Sequence, residues 1–187
     1  MTGLNLATDA LIEVAVLVTD GELNVLGDGL DITIATPEEK LLSMSDVVSQ
    51  MHTKSGLIDE VMAATTTMAE AEQQVLDYVK KYAAQGKAPL AGNTIGTDRG
   101  FLVRDMPTLT AYLHYRNIDV STIKELARRW YPRVFYNAPE KQGNHRALAD
   151  IRESIQELRY YRATVFVAQP GPATDDVRAI AAAYPMG

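Results

Sequence analysis

Apolar positions run almost without a break from Leu11 to Val18, and several are β-branched, the pattern of a buried strand. Asp20-Gly21 marks a turn. Two shorter apolar runs follow, Leu23 to Leu26 and Leu30 to Ile34, separated by Gly27-Asp28-Gly29, so the opening predicts a three-stranded antiparallel meander. The period then changes. Met44, Val47, Val48 and Met51 recur at helical spacing behind Pro37-Glu38-Glu39, predicting a helix to about His52, with His52 to Leu57 as a polar loop. A second helix is predicted from Met68 to Ala84, with Thr67 and Glu70 as a capping box, Ala71, Val75, Val79 and Tyr82 as its buried face, and Gly86 as its stop. Ala88 to Ala91 reads as a short strand running into the turn Gly92-Asn93-Thr94-Ile95-Gly96 and then a helix. A short helix over Met106 to His114, a strand over Arg116 to Val120 and a helix capped by Ser121 and reaching Trp130 come next. Tyr131 to Gly143 reads as a loop. Leu148, Ile151, Ile155 and Leu158 then predict a long helix to about Arg162, with Asn144 as N-cap. The pattern breaks from Val165. Residues 1–164 therefore read as one domain, and 165–187 as an arm with a Gln169-Pro170-Gly171-Pro172 linker and a final short helix capped at Thr174-Asp175-Asp176.

Composition narrows what this α/β pattern can be. The chain has 187 residues, 47% hydrophobic and 22% charged, which suits one soluble domain with an ordinary core. Neither a membrane-spanning apolar run nor a secretory signal is legible, which is compatible with the cytoplasm. There is no cysteine, which excludes disulfides, zinc–thiolate sites and a thiol nucleophile. A net charge of −6 argues against coating long duplexes by counterion release, and three histidines argue against a multi-histidine metal cage.

Four stretches carry candidate chemistry. His145 stands at the entrance of the last long helix and Asp150 five residues later, a turn of roughly 140° around a helix. The two converge only if His145 lies outside the regular helix, where the pair suits a general base beside a metal ligand; a solvated helix start accounts for the same residues. Asp98 lies near the start of a helix after a glycine turn, either as a site carboxylate or as an aspartate favoured by the helix macrodipole. His114-Tyr115-Arg116, followed by Asp119, Ser121 and Lys124, gathers groups that contact phosphates or stack on bases, or else decorate a solvated junction. His52-Thr53-Lys54-Ser55-Gly56-Leu57 alone is a polar loop. Gly92 and Gly96 match neither a dinucleotide fingerprint nor a P-loop, and no nucleophile elbow or His-Glu-x-x-His motif is present. Dispersed aspartates, one well-placed histidine and phosphate-binding groups fit metal-assisted phosphodiester hydrolysis.

Taken in series, Met1-Thr2-Gly3-Leu4, Leu11-Ile12-Glu13-Val14-Ala15, Met51 to Leu57, Gly92 to Arg99, His114 to Thr122, Lys124 to Trp130 and His145 to Ser154 resemble the oligoribonucleases, 3′→5′ exoribonucleases of the DEDDh family. The resemblance runs from the first residue to about Tyr161. It implies an RNase H-like mixed sheet flanked by helices, a homodimer, two divalent metals (Mg²⁺ or Mn²⁺) and removal of nucleotides from the 3′ end of very short RNAs, especially dinucleotides. It assigns Asp98 and Asp150 as metal-binding aspartates and His145 as general base. It sets Thr94 near the substrate's 5′ phosphate, and gives Tyr115, Arg116 and Ser121 the holding of the dinucleotide and the capping of that phosphate. Tyr115 is expected to act across the dimer, and Leu4 and His52 to make base- and phosphate-side contacts.

The sequence also departs from the family pattern. The family's first motif, an Asp-x-Glu on the first strand, directly precedes Met-Thr-Gly-Leu, and this sequence starts at that Met. The expectation is a chain lacking that strand and both its carboxylates, through a start set one methionine too late or a genuinely shortened product, and therefore weak or absent turnover. Three other functions compete: a DNA-directed or proofreading exonuclease, against which the Tyr115-Arg116…Ser121 cap argues; a dimeric module that binds short nucleotides without cleaving them; and a purely structural dimer.

Overall fold

The computed structural model describes residues 1–140 and 146–185. β1 (Glu13–Thr19) and β2 (Val25–Thr33) form an antiparallel hairpin, with Val14 opposite Ile32 and Thr19 opposite Val25. The expected three-strand meander is therefore two strands. Gly27-Asp28-Gly29 does not interrupt β2, because Gly27 and Gly29 take φ of 74° and 92°, conformations open to glycine, and bend the strand instead. The register slips between Val16 and Val18 beside this bend. The Tyr78 hydroxyl serves the bend's backbone, donating to Leu26 O and accepting from Gly29 N–H, both at 3.1 Å. β1 is half-buried along its whole length rather than enclosed.

The helix expected from Pro37 to His52 is split into α1 (Glu38–Leu42) and α2 (Asp46–Lys54), because the Ser45 side chain accepts from Val48 N–H and starts a new helix. The expected polar loop is mostly helical. α2 runs through His52 to Lys54, and Gly56, at φ 76°, turns the chain into α3 (Leu57–Ala63). α4 (Met68–Lys80) opens on the capping box read from Thr67 and Glu70. β3 (Pro89–Gly92), α5 (Ile95–Asp105), α6 (Pro107–Tyr112), β4 (His114–Asp119) and α7 (Val120–Trp130) follow as expected in kind and order. α8 (Pro132–Tyr136) interrupts the expected loop after Trp130. α9 (Ala147–Val165) is the long helix; its expected cap, Asn144, lies outside the described residues. α10 (Thr174–Ala183) is exposed along its whole length, and Thr174 stands inside it rather than capping it.

β3 and β4 are parallel, with Gly92 opposite Asp119. Among the described residues this pair and the β1–β2 hairpin are not hydrogen-bonded to each other. One apolar core joins them. It holds Ile32 and Ile34 from the hairpin side, Val75, Leu76 and Val79 of α4, Phe101 and Leu102 of α5, and Met106 and Leu109 around α6, with Val14, Val16 and Leu90 packed against it. Side chains alternate across a strand. Val14 and Val16 accordingly face that core, while Glu13 reaches Arg146 at the start of α9 and Leu17 packs near Leu148 beside Gly29. The strands thus lie between α4 on one face and α9 on the other, and α9 touches β1, β2 and β3. This mixed α/β layering sets the carboxyl end of β3, the start of α7 and the first half of α9 side by side.

Candidate active site

The site is built around the turn that leaves β3. Thr94 sits there at φ 52°, a left-handed conformation that costs a β-branched residue about 1–3 kcal/mol. Its N–H is held by two acceptors, Asp119 Oδ1 and Ser121 Oγ, each at 3.0 Å. Asp119 Oδ1 also accepts from Ser121 N–H at 2.9 Å, so Asp119, not Ser121, caps α7. One carboxylate at the end of β4 thereby fixes both the turn after β3 and the first turn of α7. Thr94 and Ser121 are brought together, with their hydroxyl oxygens 3.2 Å apart. They edge an open cleft of about 700 Å³ that is also lined by Asp119, Lys124, Arg129 and Phe135. The adjoining Glu125 is held at about 2 by hydrogen bonds from Arg128 and Arg129, so it is ionised throughout the neutral range.

Asp98 follows in the first turn of α5. Burial pushes its carboxyl above the usual carboxylate range, and the negative charge of Asp119 adds to the rise. A desolvated carboxyl of this kind gains more from a bound cation than an exposed one does. Its neighbour Arg99 ties α5 to β4, donating from Nε to Asn117 Oδ1 at 2.6 Å and from Nη2 to His114 O at 2.8 Å.

α9 is locked to the same turn through polar side chains. Asn93 Nδ2 donates to Ser154 Oγ at 2.9 Å and to Glu157 Oε2 at 3.1 Å, and Ser121 Oγ donates to Asn93 Oδ1 at 3.0 Å. Glu157 is buried and pairs with Lys124 at 3.2 Å. Ser154 Oγ also donates to Asp150 O at 2.8 Å, so exposed Asp150 stands one helical turn, about 6 Å, toward the N-terminus from the contact with Asn93. Arg146 anchors the start of α9, bidentate to Glu60 at 2.7 Å and in contact with Glu13 at 3.2 Å.

The other expected residues are distributed as follows. Tyr115 is exposed on β4, its ring stacked on His114 at 4.6 Å and under the Arg116 guanidinium at 5.3 Å. His52 is buried in α2, with Nε2 donating to Met1 O at 2.9 Å. It lies beside the segment that carries Leu4 rather than in a polar loop. That segment is strapped down by buried Thr2, whose N–H donates to Ala10 O and whose Oγ1 accepts from Ala10 N–H, both at 2.9 Å, and Leu4 projects into solvent. His145 lies outside the described residues. Sequence reasoning gave no role to Asn93, Arg99, Ser154 or Glu157. It read Asp119 and Lys124 as open phosphate-side groups, whereas they are a helix cap and an ion-pair partner.

This arrangement, a mixed α/β layer presenting carboxylates and hydroxyls at the end of a strand, is that of a nuclease. Residues 1–158 match the exonuclease family, and the chain belongs to it, with the RNase H-like fold that membership carries. Within that family it is similar to the oligoribonuclease of Streptomyces coelicolor, 66% identical over 185 residues, covering 98% of this chain and 92% of the relative. It is likewise similar to that of Rhodococcus jostii, 63% identical over 181 residues, 96% of this chain and 91% of the relative. The oligoribonuclease of Mycolicibacterium paratuberculosis is 60% identical over 188 residues, 100% of this chain and 87% of the relative. The enzyme class is 3′→5′ exoribonuclease of the oligoribonuclease type.

Members of the exonuclease family generally use divalent metal ions. Among the described residues no three His, Asp or Glu side chains come together as a metal-holding group. Asp98, desolvated and acidic, suits a cation; the described residues by themselves do not complete a cage for one. No described helix is long and apolar enough to cross a membrane.

Proposed function

We propose that this protein removes nucleotides from the 3′ end of very short RNAs, with dinucleotides as preferred substrates. The observation that carries the reading is the Thr94–Ser121 edge, locked by Asp119 at the mouth of a cleft of about 700 Å³ and next to Asp98 in the following turn. A cleft of that size suits a ligand of one or two nucleotides. In this reading Thr94, Arg116 and Ser121 hold the 5′ phosphate, and Tyr115 stacks on a base, acting in the partner's site of a homodimer. Leu4 and His52 bound the base side. Closure on a 5′ phosphate limits substrate length, which agrees with a chain of net charge −6.

His145 takes the proton of the attacking water. Asp98 and Asp150 are the protein's contributions to binding Mg²⁺ or Mn²⁺, which would supply charge neutralisation at the scissile phosphate. Cytoplasmic location and a short 165–187 arm outside the catalytic domain complete the reading.

Two carboxylates are few for a pair of hard cations, which take six or more oxygen ligands each. The 187-residue polypeptide is therefore expected to turn over weakly. The test measures binding and hydrolysis of a labelled dinucleotide on one sample, with Mg²⁺ or Mn²⁺, against a 20-nucleotide strand. Tight dinucleotide binding with slow cleavage and poor binding of the long strand is the expected result. Equal binding of both lengths would remove the short-substrate reading, and full-rate cleavage would remove the expectation of weak turnover. The absence of a three-residue metal group among the described residues favours one second reading, a module that binds short nucleotides without cleaving them. Binding with no turnover at any metal concentration is its signature.

A further inference from the structure

Ser121 and Thr94 meet on a hydroxyl–hydroxyl contact whose donor the oxygen positions alone leave open. The surrounding groups decide it. Glu157 faces the Lys124 ammonium at 3.2 Å, so its carboxylate only accepts. Asn93 must therefore turn its NH₂ toward Glu157. A second argument gives the same orientation. Ser154 spends its single hydroxyl proton on Asp150 O, so it can only accept from Asn93. With both NH₂ contacts assigned, Asn93 Oδ1 faces Ser121, and Ser121 must spend its own proton on it. The Ser121 oxygen then receives the Thr94 N–H at 3.0 Å. Thr94 is left as the hydroxyl of this edge whose proton can turn to a ligand.

We propose that Asn93 is a positioning residue for recognition of the substrate's 5′ phosphate. Its amide draws the Ser121 proton inward, makes Thr94 the hydroxyl donor to the phosphate, and ties this edge through Ser154 and Glu157 to the helix that bears Asp150. The proposal rests on the reading that the Thr94–Ser121 edge meets the 5′ phosphate, and it adds the residue that sets the polarity of that edge. It also explains a buried acid far from the cleft floor: Glu157 orients Asn93, and Lys124 keeps Glu157 ionised.

The experiment measures affinity for 5′-phosphorylated diadenylate and for its 5′-hydroxyl counterpart, with circular dichroism and thermal unfolding as checks of folding. The parent protein is expected to prefer the phosphorylated ligand by about tenfold or more, the worth of one hydrogen bond to a charged group. Thr94→Val, which keeps the β-branched shape, should abolish most of that preference. Asn93→Ala should weaken binding of the phosphorylated ligand by about five- to tenfold and change the hydroxyl ligand by less than about twofold. Asn93→Asp, nearly isosteric, should lose the preference as well, because it sets a carboxylate against Glu157. Adding Glu157→Gln to Asn93→Asp exchanges acid and amide, conserves the charge facing Lys124, and should restore the preference. If Asn93→Ala fails to fold, the isosteric single and double variants decide the matter. Parent-like preference in the Asn93 variants, while Thr94→Val has lost it, overturns the proposal. Full preference in Thr94→Val overturns the phosphate reading of the edge, and the proposal with it.

Discussion

Two tyrosines show how one hydroxyl is worth opposite amounts in the same molecule. Tyr161 is fully buried, and among the described residues its hydroxyl has no hydrogen-bond partner. Desolvation of that oxygen is a standing cost, and the charge of Glu157 nearby also disfavours its ionisation. Tyr78 is also buried, but its hydroxyl serves two backbone groups at the bend of β2. Tyr161→Phe should therefore be neutral or stabilise by up to about 1 kcal/mol, whereas Tyr78→Phe should cost about 1–3 kcal/mol because it strands Leu26 O and Gly29 N–H. Urea midpoints of the two variants moving in the same direction would contradict this assignment.

At the scale of elements, the junction of the hairpin with α9 carries a pH dependence. Glu13 on β1 has its pKa raised above 4.5, first by burial and then by the charge of Asp31, against the opposing pull of Arg146. Burial raises Asp31 as well. A carboxyl whose folded pKa is raised binds its proton more tightly when folded. Its stabilising contribution is complete below the unfolded value and is lost as pH climbs through the folded one. Glu13→Gln should accordingly be more stable than the parent at pH 7, with the advantage shrinking toward pH 4. Glu60, lowered by its hydrogen bond to Arg146, is common to both proteins and drops out of the difference. A constant advantage across that range would show that Glu13 is not desolvated at this junction.

The same junction shows which features the sequence reveals. The α4 capping box was legible because Thr67 and Glu70 are three residues apart and act on each other's backbone. The order β3, α5, α6, β4, α7 was legible from local periodicity, and Asp98 from its place after a glycine turn. The break at Ser45 was hidden because Met44 and Val47 continue the helical spacing straight across it. β2 looked like two strands because its glycines signal turns as readily as bends. Asn93 was quoted within a motif yet given no task, since its partners Ser154 and Glu157 lie 61 and 64 residues away and no local pattern announces them. Asp119 was visible as a charge, but only the fold shows that it spends that charge on two backbone N–H groups.

At the scale of the whole molecule, the question is what makes one unit of two strand pairs that share no backbone hydrogen bond among the described residues. Two layers do so. On one face α9 spans β1, β2 and β3. On the other, a continuous apolar core runs from Ile32 of the hairpin through Val75 and Val79 to Phe101 and Leu109. Phe101 is fully buried within this core and lies on α5, the helix that also carries Asp98. Phe101→Ala should cost about 3–5 kcal/mol, a large part of the roughly 5–15 kcal/mol that holds a domain folded. Because the core is shared, the loss should fall on both strand pairs together. Amide hydrogen exchange should accelerate in β1–β2 and in β3–β4 by similar factors, and unfolding should remain a single transition. Acceleration confined to β3 and β4 would mean that the hairpin keeps its own stability and that α9, rather than the core, holds the halves in register. In that case the distance from Asp98 to Asp150 would depend on the polar contacts of Asn93 alone.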